Sequence, residues 1–425
     1  MTRSFLDELA WRGLLQQQTD GASEAFSKGS VSGYIGFDAT ASSLHIGHLV
    51  PITGLVHLQR AGHRPVALVG VGTGMIGDPS GRSSERTLQT LEQVEANAVS
   101  IRAQLEHFID FSGRFAARMV NNADWLLPMR MVDFLRDVGK HFSVNVMLAK
   151  DSVKSRLEGG ISYTEFSYML LQAYDFLELY SREGVTLQMG GSDQWGNITA
   201  GTELIRRSTG GEAHGVTLSL VTGSDGKKFG KTADGTSVWL DPKRTSPYRF
   251  FQYFVNVDDR DVAGYLRMFT LLEREEIVAL EQAVVERPEG RGAQLALAAD
   301  VTARVHGKTA TAAAREASRI VFDRKADPRS LGRDVLEMLR DELPYTLVTG
   351  AHAVGDALSV VDALATTGLV KSKGDARRQL QQGAVSVNGR KLEADEVSVP
   401  RSEALHGAFY LLRKGGRDVA LVEHD

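Results

Sequence analysis

The sequence predicts an α/β protein with a doubly wound parallel sheet near its N-terminus, then a mostly helical region, and finally a small α+β domain. Two β-like runs, 32–39 and 64–74, are separated by an apolar helical pattern over 48–60. A third run, 184–191, follows further helical stretches. Strands that alternate with helices form parallel sheets, which bind ligands at the carboxyl ends of their strands.

The second half of the chain changes in character. From 245 to 339 the pattern is mostly helical and rich in Ala, Arg, Glu and Leu, with breaks at Pro288 and Pro328. We therefore expect an all-α domain there. Residues 343–356 have the composition of a linker, and the residues after them are expected to form the separate small domain.

Composition excludes several kinds of site. The chain has 425 residues, 42% of them hydrophobic and 24% charged, which is typical of a globular protein of two or three domains. It contains no cysteine, which excludes a disulfide framework, a thiolate nucleophile and a Cys-ligated metal. Its 11 histidines include no HExxH spacing, so we expect no protein-bound metal. The formal net charge is −4, and a polyanionic partner would have to bind at local basic clusters.

The N-terminal stretch "MTRSFLDELAWRGLL" has Asp7 and Glu8 among its apolar residues, unlike a signal peptide. No apolar run in the sequence reaches about 18 residues, the length of a membrane-spanning helix. We therefore expect a cytoplasmic protein that does not contact a membrane.

The stretch "DATASSLHIGHLV" (38–50) lies where the first β-like run passes through a turn into a helix. The first turn of a helix has unpaired amides and a partial positive charge, which suit a phosphate group. Gly47 would let a ligand approach that turn, and His45 and His48 could donate hydrogen bonds to phosphate or ribose oxygens. In the alternative interpretation, His45 caps the helix and His48 packs beneath it.

A second candidate for phosphate binding is the Gly- and Asp-rich segment "SDGKKFGKTADG" (224–235). Its Lys228 and Lys231 could bring two ammonium groups onto a phosphate chain. Taken alone, such a lysine pair is more typical of a solvated loop.

A third candidate is "MIGDPSGRSSER" (75–86), which follows the second β-like run. Its Gly and Pro residues predict a tight turn that holds Asp78 at the end of the strand, with Arg82 and Arg86 beyond it. The alternative is a plain turn with solvated charges.

Two further segments carry polar groups suited to a small substrate. In "YTEFSYMLLQAYDFLEL", a helix would project Tyr168, Gln172 and Asp175 from one face, because they are four and three residues apart. Such groups are costly to bury without partners, and the alternative is a core tyrosine with a solvated aspartate. In "LQMGGSDQWGN" another strand ends, and it presents these polar side chains: Gln188, Asp193 and Gln194.

Taken together, these motifs resemble a known family. "HIGH" (45–48) and "KFGKT" (228–232) are similar to the two signatures of the class I aminoacyl-tRNA synthetases. Within that class, "YIGFDATASSLHIGH", "GDPSGRSSER", "YMLLQAYD" and "GGSDQWGN" resemble the bacterial tyrosyl-tRNA synthetases. The resemblance extends over essentially the whole chain. It implies a Rossmann-like sheet domain, the substrates L-tyrosine, ATP and tRNA(Tyr), and ligation of tyrosine to that tRNA.

The resemblance implies roles for residues around the amino acid. Tyr34 and Asp175 match the pair that binds the phenolic hydroxyl of the substrate. The residues that match the holders of its α-ammonium group are Asp78, Tyr168 and Gln172. Gln188 and Gln194 are similar to other residues of the tyrosine pocket.

It likewise implies an ATP site. Residues around the nucleotide are matched by Asp38, Thr40, His45, Gly47, His48, Gly191 and Asp193, the last as the ribose ligand. Residues of the loops over the pyrophosphate are matched by Arg82, Arg86, Lys228, Lys231 and Thr232. The family commonly has Lys where this chain has Arg82, a change that keeps the charge and alters the donor geometry.

In the implied reaction, the carboxylate of tyrosine attacks the α-phosphorus of ATP and pyrophosphate leaves. The tyrosyl group then passes to the terminal ribose of the tRNA. A carboxylate is already ionised at neutral pH, so the first step needs no general base, and Mg²⁺ would arrive with ATP. The family also implies a homodimer, with the segment after Arg130 as its interface.

The tail predicts an RNA-binding module. In "SKGDARRQLQQG" a helix is capped at Ser372 and stopped at Gly383, and a hairpin follows around Asn388-Gly389. This arrangement resembles a module shared with a ribosomal protein. Its candidate tRNA contacts are Lys371, Lys373, Arg377 and Arg378. Because 357–425 has ten Lys and Arg against nine Asp and Glu, a solvated helix face is the alternative.

The resemblance implies the following division of the chain. The predicted parts are a Rossmann-like catalytic domain with a dimer-interface insertion (1–220), the KFGKT loop with a helical anticodon-region domain (221–342), a linker (343–356) and an RNA-binding domain (357–425). Two alternatives stay open. A tryptophanyl-tRNA synthetase would not need the pair Tyr34 and Asp175, and a non-catalytic RNA-binding relative would lose phosphate-loop residues.

Overall fold

The computed structural model of the chain describes residues 4–80, 87–154, 159–224, 229–231, 235–348, 353–354, 356–416 and 418–424. By the proximity of its Cα atoms, the chain divides into two compact units. Unit 1 comprises Met1–Thr245 and Val257–Val305, and unit 2 comprises Ser246–Asn256 and His306–Asp425. Within the described ranges, no helix is both long enough and apolar enough to cross a bilayer.

The strands are β1 (Leu15–Gln18), β2 (Ser32–Asp38), β3 (Arg64–Gly70), β4 (Arg118–Asn121), β5 (Leu187–Gly191), β6 (His214–Leu218), β7 (Tyr345–Val348), β8 (Ala353–Val354), β9 (Ala357–Ser359), β10 (Val385–Val387), β11 (Arg390–Lys391), β12 (Ser398–Pro400), β13 (Phe409–Lys414) and β14 (Asp418–His424).

The helices of the first part of the chain are α1 (Phe5–Trp11), α2 (Ala22–Lys28), α3 (Leu49–Arg60), α4 (Val71–Gly74), α5 (Leu91–Leu105), α6 (Ala123–Leu126), α7 (Met131–Asp137), α8 (Val144–Leu148), α9 (Asp151–Lys154), α10 (Tyr163–Glu183) and α11 (Trp195–Thr209). Those that follow are α12 (Pro247–Val255), α13 (Asp259–Phe269), α14 (Arg274–Glu286), α15 (Gly292–Phe322), α16 (Arg333–Leu339), α17 (Val360–Thr366) and α18 (Lys373–Gln381). Helix α15 is interrupted at Gly307, whose φ of 85° and ψ of 162° are not helical.

Unit 1 is built on a six-stranded sheet in the order β1-β6-β5-β2-β3-β4. Strands β6 to β4 run parallel to their neighbours, and β1 pairs antiparallel with β6. Strand β3 is buried along nearly its whole length, and helices α3 and α5 pack against it. A strand buried on both faces has the continuous apolar run that "PVALVG" shows.

The strand order creates a crevice between β2 and β5. The chain passes from β2 outwards to β3 and β4, and then returns to the other side of β2 to form β5 and β6. Ligands of doubly wound sheets bind at such a switch point, at the carboxyl ends of the strands. Asp38 ends β2 and Gly191 ends β5, so two of the predicted site residues lie at this edge.

Two predicted strands are shorter than expected. The β-like run 64–74 ends as a strand at Gly70, and Val71–Gly74 form the helical turn α4. Gly72 explains the turn, since a side chain there would lie 2.8 Å from Leu126, and its amide donates to the Asn122 side chain. The run 184–191 becomes a strand at Leu187, after Gly184 has ended α10 in a left-handed conformation.

Unit 2 contains a five-stranded sheet in the order β11-β10-β13-β14-β7 and a three-stranded sheet, β12-β9-β8. The Ser372 hydroxyl accepts a hydrogen bond from the Asp375 amide and caps α18 as predicted. The predicted hairpin is confirmed too, with φ of 50° at Asn388 and 81° at Gly389. Tyr345–Val348, which the sequence assigned to a linker, instead form β7 and pair in parallel with β14.

The predicted fold class is confirmed. A parallel α/β sheet comes first, helices dominate from Pro247 to Leu339, and an α+β part ends the chain.

Candidate active site

A chain of hydrogen bonds connects the end of β2 with helix α10. The Tyr168 hydroxyl donates to Asp38 Oδ2 over 2.9 Å, and the Thr73 hydroxyl donates to Asp38 Oδ1 over 2.7 Å. The buried Asn122 side chain donates from Nδ2 to the Thr73 hydroxyl and to Asp175 Oδ2. The structure thus brings together three of the predicted residues, Asp38, Tyr168 and Asp175.

Asp175 is 2% exposed, yet both of its carboxylate oxygens have partners. Asn122 Nδ2 donates to Oδ2 over 3.0 Å, and Trp125 Nε1 donates to Oδ1 over 2.7 Å. These two donors fix the plane of the carboxylate. A solvated Asp175, the alternative that the sequence left open, is therefore wrong.

Two polar groups on the neighbouring strands β2 and β5 are buried, and neither has a partner in the part of the chain that the structure describes. Tyr34 on β2 and Gln188 on β5 are register neighbours and are 1% and 2% exposed. Among the described residues, neither the Tyr34 hydroxyl nor Gln188 Oε1 has a hydrogen-bond partner. Because leaving a buried polar group unpaired costs about 1–3 kcal/mol, these atoms are suited to pair with a polar ligand.

Burial controls the protonation of this cluster. It raises the pKa of Asp175 to about 8, against the opposing hydrogen bonds from Asn122 and Trp125. Burial, followed by the charge of Asp175, raises the pKa of Tyr34 well above its usual value. Burial and the charge of Asp38 do the same for the pKa of Tyr168. Both phenols therefore keep their protons at neutral pH and can act as donors.

The pKa of Asp175 predicts how the substitution Asp175→Asn changes stability with pH. The folded pKa is about 8 and the ordinary value is 3.8, so unfolding releases a proton between these limits. Stabilisation of the wild type that is complete below pH 3.8 is lost as pH rises towards 8, by up to about 6 kcal/mol. In urea unfolding from pH 5 to pH 9, the variant should gain stability relative to the wild type and then level off near pH 8. A difference that is independent of pH would contradict the raised pKa.

A second hydrogen-bond network joins the turn after α4 with the start of α11. Gln194 Nε2 donates to Asp78 Oδ2 over 2.6 Å, and Gln172 Nε2 donates to Gln194 Oε1 over 3.2 Å. Asn197 Nδ2 donates to Gln172 Oε1 over 3.0 Å. The Ser80 amide donates to Asp78 Oδ1 and holds the carboxylate in the turn that the sequence predicts. Three predicted residues, Asp78, Gln172 and Gln194, thus share one cluster.

The two histidines of "HIGH" cap their own turn. The Gly47 amide donates to His45 Nδ1 and the His45 amide donates to His48 Nδ1, both over 3.1 Å. The capping alternative therefore holds in this structure. It does not remove the donors, since an imidazole whose Nδ1 accepts carries its proton on Nε2 when neutral. The rings are 4.0 Å apart and His45 lies edge-on to Trp239.

Glycines at the site are required by close neighbours. A Cβ at Gly47 would lie 2.8 Å from the His45 ring, so the space expected for a ligand is bounded by that imidazole. A Cβ at Gly191 would lie 2.5 Å from Asp193 Oδ1. Asp193 itself is exposed and lies just beyond the end of β5. Thr40 follows the end of β2, and its amide donates to the carbonyl oxygen of Asp38.

The segment with Lys231 lies against the turn formed by residues 45–48, which we call the histidine turn. The Val238 amide donates to Gly230 O and the Ile46 amide donates to Val238 O, each over 3.0 Å. Lys231 forms an antiparallel bridge with Ser237, and its side chain is exposed. The other four residues predicted over the pyrophosphate lie outside the described residues: Arg82, Arg86, Lys228 and Thr232.

In unit 2, two of the four predicted tRNA contacts are ion-paired. Lys373 Nζ lies 2.5 Å from Asp362 Oδ1, and the Arg378 guanidinium lies 2.5 Å from Asp375 Oδ1. Lys371 and Arg377 are exposed, and within the described part of the chain their side chains form no ion pair.

Four residues that were not predicted from the sequence orient the predicted ones: Thr73, Asn122, Trp125 and Asn197. Asn122 directly follows β4, so the rule that polar groups at strand ends form sites could have found it. Asn197 lies at the end of the quoted "GGSDQWGN" motif. Thr73 and Trp125 show no spacing signal. Among the described residues, no group of three or more His, Asp or Glu could hold a metal ion.

Comparison with known families identifies this architecture. Residues 27–323 match the family of tRNA synthetases class I (W and Y), and residues 337–422 match the tyrosine–tRNA ligase SYY-like C-terminal domain. The doubly wound sheet, with its polar networks at the switch point, is therefore that of a class I tRNA synthetase.

Relatives of known function narrow the class. The chain is 52% identical to the tyrosine–tRNA ligase of Anaeromyxobacter dehalogenans over 99% of both chains, and 50% identical to that of Geobacillus stearothermophilus over 99% of both. A crystal structure of a C-terminally truncated mitochondrial tyrosyl-tRNA synthetase from Aspergillus nidulans has a TM-score of 0.69 and 30% identity, covering 75% of this chain and 94% of that one. The chain belongs to the tyrosine–tRNA ligases.

Proposed function

We propose that the protein activates L-tyrosine with ATP and transfers the tyrosyl group to tRNA(Tyr). The observation that carries the choice of amino acid is the Tyr34 hydroxyl, which has no partner among the described residues and lies beside the oriented carboxyl group of Asp175. Together they offer a donor and an acceptor to one phenolic hydroxyl. The side chain of tryptophan has a ring N–H donor and no acceptor, so it would leave the O–H donor of Tyr34 without an acceptor.

The amino group of the substrate would be held by the second network. Asp78 supplies the negative charge, and Tyr168 and Gln172 supply oxygen acceptors. Tyr168 donates its proton to Asp38, which leaves the lone pairs of its oxygen for an ammonium group. We assign Gln188 and Gln194 to the remainder of the tyrosine pocket.

The ATP site would lie at the edge formed by β2, the histidine turn and β5. We assign Asp38, Thr40, Gly47 and Gly191 to its floor and Asp193 to the ribose. His45 and His48 would direct Nε2–H donors towards phosphate oxygens, supported by the capping bonds on Nδ1. Mg²⁺ is expected to arrive bound to the phosphates of ATP.

Catalysis would rest on position and charge. A carboxylate oxygen of tyrosine forms a bond to the α-phosphorus, and the bond from that phosphorus to the bridging oxygen breaks as pyrophosphate leaves with the electron pair. Cationic groups stabilise the charge that develops on the leaving phosphates, a role we give to Arg82, Arg86, Lys228, Lys231 and Thr232 with its hydroxyl. A ribose hydroxyl of the tRNA then attacks the tyrosyl carbonyl, and AMP leaves.

ATP–pyrophosphate exchange with each of the 20 amino acids tests the function. Exchange should depend on tyrosine, with tryptophan and phenylalanine giving rates near background. Exchange driven by tryptophan would instead support the tryptophanyl alternative, and no exchange with any amino acid would support a non-catalytic RNA-binding protein.

We also propose the division of the chain into domains that the sequence predicts. Residues 1–220 would form the catalytic domain, 221–342 the KFGKT loop and anticodon-region domain, and 357–425 the tRNA-binding domain. The location proposed with it is the cytoplasm, where ATP and tRNA are available.

A homodimer is proposed through the segment that follows Arg130. The support is a series of large apolar side chains exposed in α7, in α8 and just before α7: Leu127, Met131, Val132, Leu135, Val144, Val146 and Leu148. Their exposed fractions range from 38% to 76%, and apolar surface of this kind in one region is typical of an interface. Sedimentation velocity at micromolar concentration would show whether one chain or two are present.

Charge neutralisation in the tail should separate the two steps of the reaction. Lys371→Gln combined with Arg377→Gln removes two exposed cations that are free of ion pairs among the described residues. We expect weaker tRNA binding and a flatter dependence of affinity on salt, because fewer phosphate counterions are released. Pyrophosphate exchange should not change. Lys391→Gln, an exposed lysine on β11, is the control, and an equal loss of both activities would contradict the assignment.

A further inference from the structure

Phe229, in the segment that carries Lys231, packs into an aromatic pocket on helix α13. Its ring stacks on Phe269 with centroids 4.9 Å apart and planes 18° apart. Tyr265, one turn earlier on the same helix, meets it edge-on with centroids 5.1 Å apart. The two pocket rings also contact each other and are 7% exposed or less. Contacts of this kind are worth about 0.5–1.5 kcal/mol each beyond the area they bury.

The wall of this pocket is anchored by the buried Arg12 and the partly buried Arg304, neither of which is among the predicted site residues. Arg12, 3% exposed, donates to the carbonyl oxygens of Arg267, Thr270 and Leu272, which surround the C-terminal end of α13. Arg304 donates to the carbonyl oxygen of Phe269 itself. Cations at a helix C-terminus satisfy its last carbonyls and complement its dipole, so this end of α13 is a firm support.

The residue after Phe229 is held from the other side. Gly230 is buried in a left-handed conformation with φ of 96°, and a Cβ there would lie 3.5 Å from Ile46 of the histidine turn. The carbonyl oxygen of Gly230 accepts a hydrogen bond from the Val238 amide. The carbonyl oxygen of Val238 in turn accepts one from the Ile46 amide. Phe229 thus holds the backbone next to Lys231 against α13, and Gly230 holds it against the histidine turn.

We propose that Phe229 is a positioning residue for adenylate formation: its packing on Tyr265 and Phe269 holds Lys231 where it can reach the phosphates of ATP. The inference rests on the proposed function, because it needs Lys231 to act on the phosphates. It gives helix α13, which contributes no predicted substrate contact, a part in catalysis.

The test is pyrophosphate exchange with the full chain and three variants. Phe229→Ala empties the pocket and should lower kcat about 10- to 100-fold, since small misplacements of catalytic groups have effects of this size. The KM for tyrosine should stay within about twofold, because the tyrosine contacts are not altered. Phe229→Leu keeps an apolar side chain in the pocket and should restore most of kcat. Phe111→Ala, an aromatic residue of unit 1 that is 38% exposed, is the control and should behave as wild type.

A double-mutant cycle distinguishes positioning from a general structural role. If Phe229 acts through Lys231, Phe229→Ala should lower kcat little further in a Lys231→Ala background. A full additional loss in that background, an unchanged kcat in Phe229→Ala alone, or equal losses in the Ala and Leu variants would each overturn the inference. If Lys231→Ala has no effect while exchange still depends on tyrosine, the role of Lys231 fails and this inference fails with it, although the assignment of the substrate stands.

Discussion

Asp175→Asn is expected to lower kcat/KM for tyrosine in pyrophosphate exchange by about 100-fold or more. The substitution keeps the size of the side chain and replaces one of the two oxygens that accept from Asn122 and Trp125 by an amide nitrogen. Leaving buried polar groups without a partner costs up to about 3 kcal/mol, which corresponds to this factor. The structural cause is burial, because water does not replace the lost partner of the phenolic hydroxyl.

The same variant should discriminate less against phenylalanine. In the wild type, phenylalanine would leave the Tyr34 hydroxyl unpaired and would give Asp175 no substrate hydroxyl to bind, and tyrosine–tRNA ligases are themselves the standard example of rejection on this basis. The ratio of kcat/KM for the two amino acids is the quantity to measure. Glu106→Gln, at an exposed carboxylate paired with Arg102, serves as the control. A normal rate of tyrosine activation in Asp175→Asn would show that the pocket is wrongly assigned.

Lys231→Ala is expected to lower kcat for adenylate formation by about 100- to 1,000-fold. Removing one preorganised donor to a developing charge typically has an effect of this size. The KM for tyrosine should change little, because an interaction made mainly in the transition state does not contribute to ground-state binding. The same result is expected for Lys228, whose position lies outside the described residues.

Lys243→Ala provides the matched control for this measurement. Lys243 is exposed and lies close in sequence to the Lys231 segment, but it belongs to none of the predicted sites. Lys231→Arg adds a second comparison, since it keeps the charge and changes the donor geometry. A raised KM for tyrosine with an unchanged kcat in Lys231→Ala would mean that the lysine binds the amino acid and not the leaving phosphates.

Local features of the fold could be predicted because they depend on short-range spacing. The stripe on α10 follows from the helical period, and the cap at Ser372 and the hairpin at Asn388-Gly389 follow from turn chemistry. The error at the end of the second β-like run involves residues that are distant in the sequence, which spacing does not reveal. The strand at 64–70 ends where Gly72 packs against Leu126, a residue 54 positions away.

The strand that forms within the predicted linker also depends on a partner that is distant in the sequence. Tyr345–Val348 form a strand because β14, more than 70 residues later, provides a parallel edge for them. Four residues of mixed polarity carry no clear β-period, so their strand depends on that partner.

By itself the sequence determined the class of fold and the family, because motifs and periods are local and the family signatures are specific. Only the tertiary structure decided which polar residues at the site share a hydrogen bond. Tyr168 and Asp38 are 130 positions apart and Asn122 and Asp175 are 53 apart. Such pairs depend on the order of the strands, which places β2 beside β5 and brings α10 over the switch point. The orienting residues Thr73 and Trp125 were missed for this physical reason, since they act through partners that no local pattern specifies.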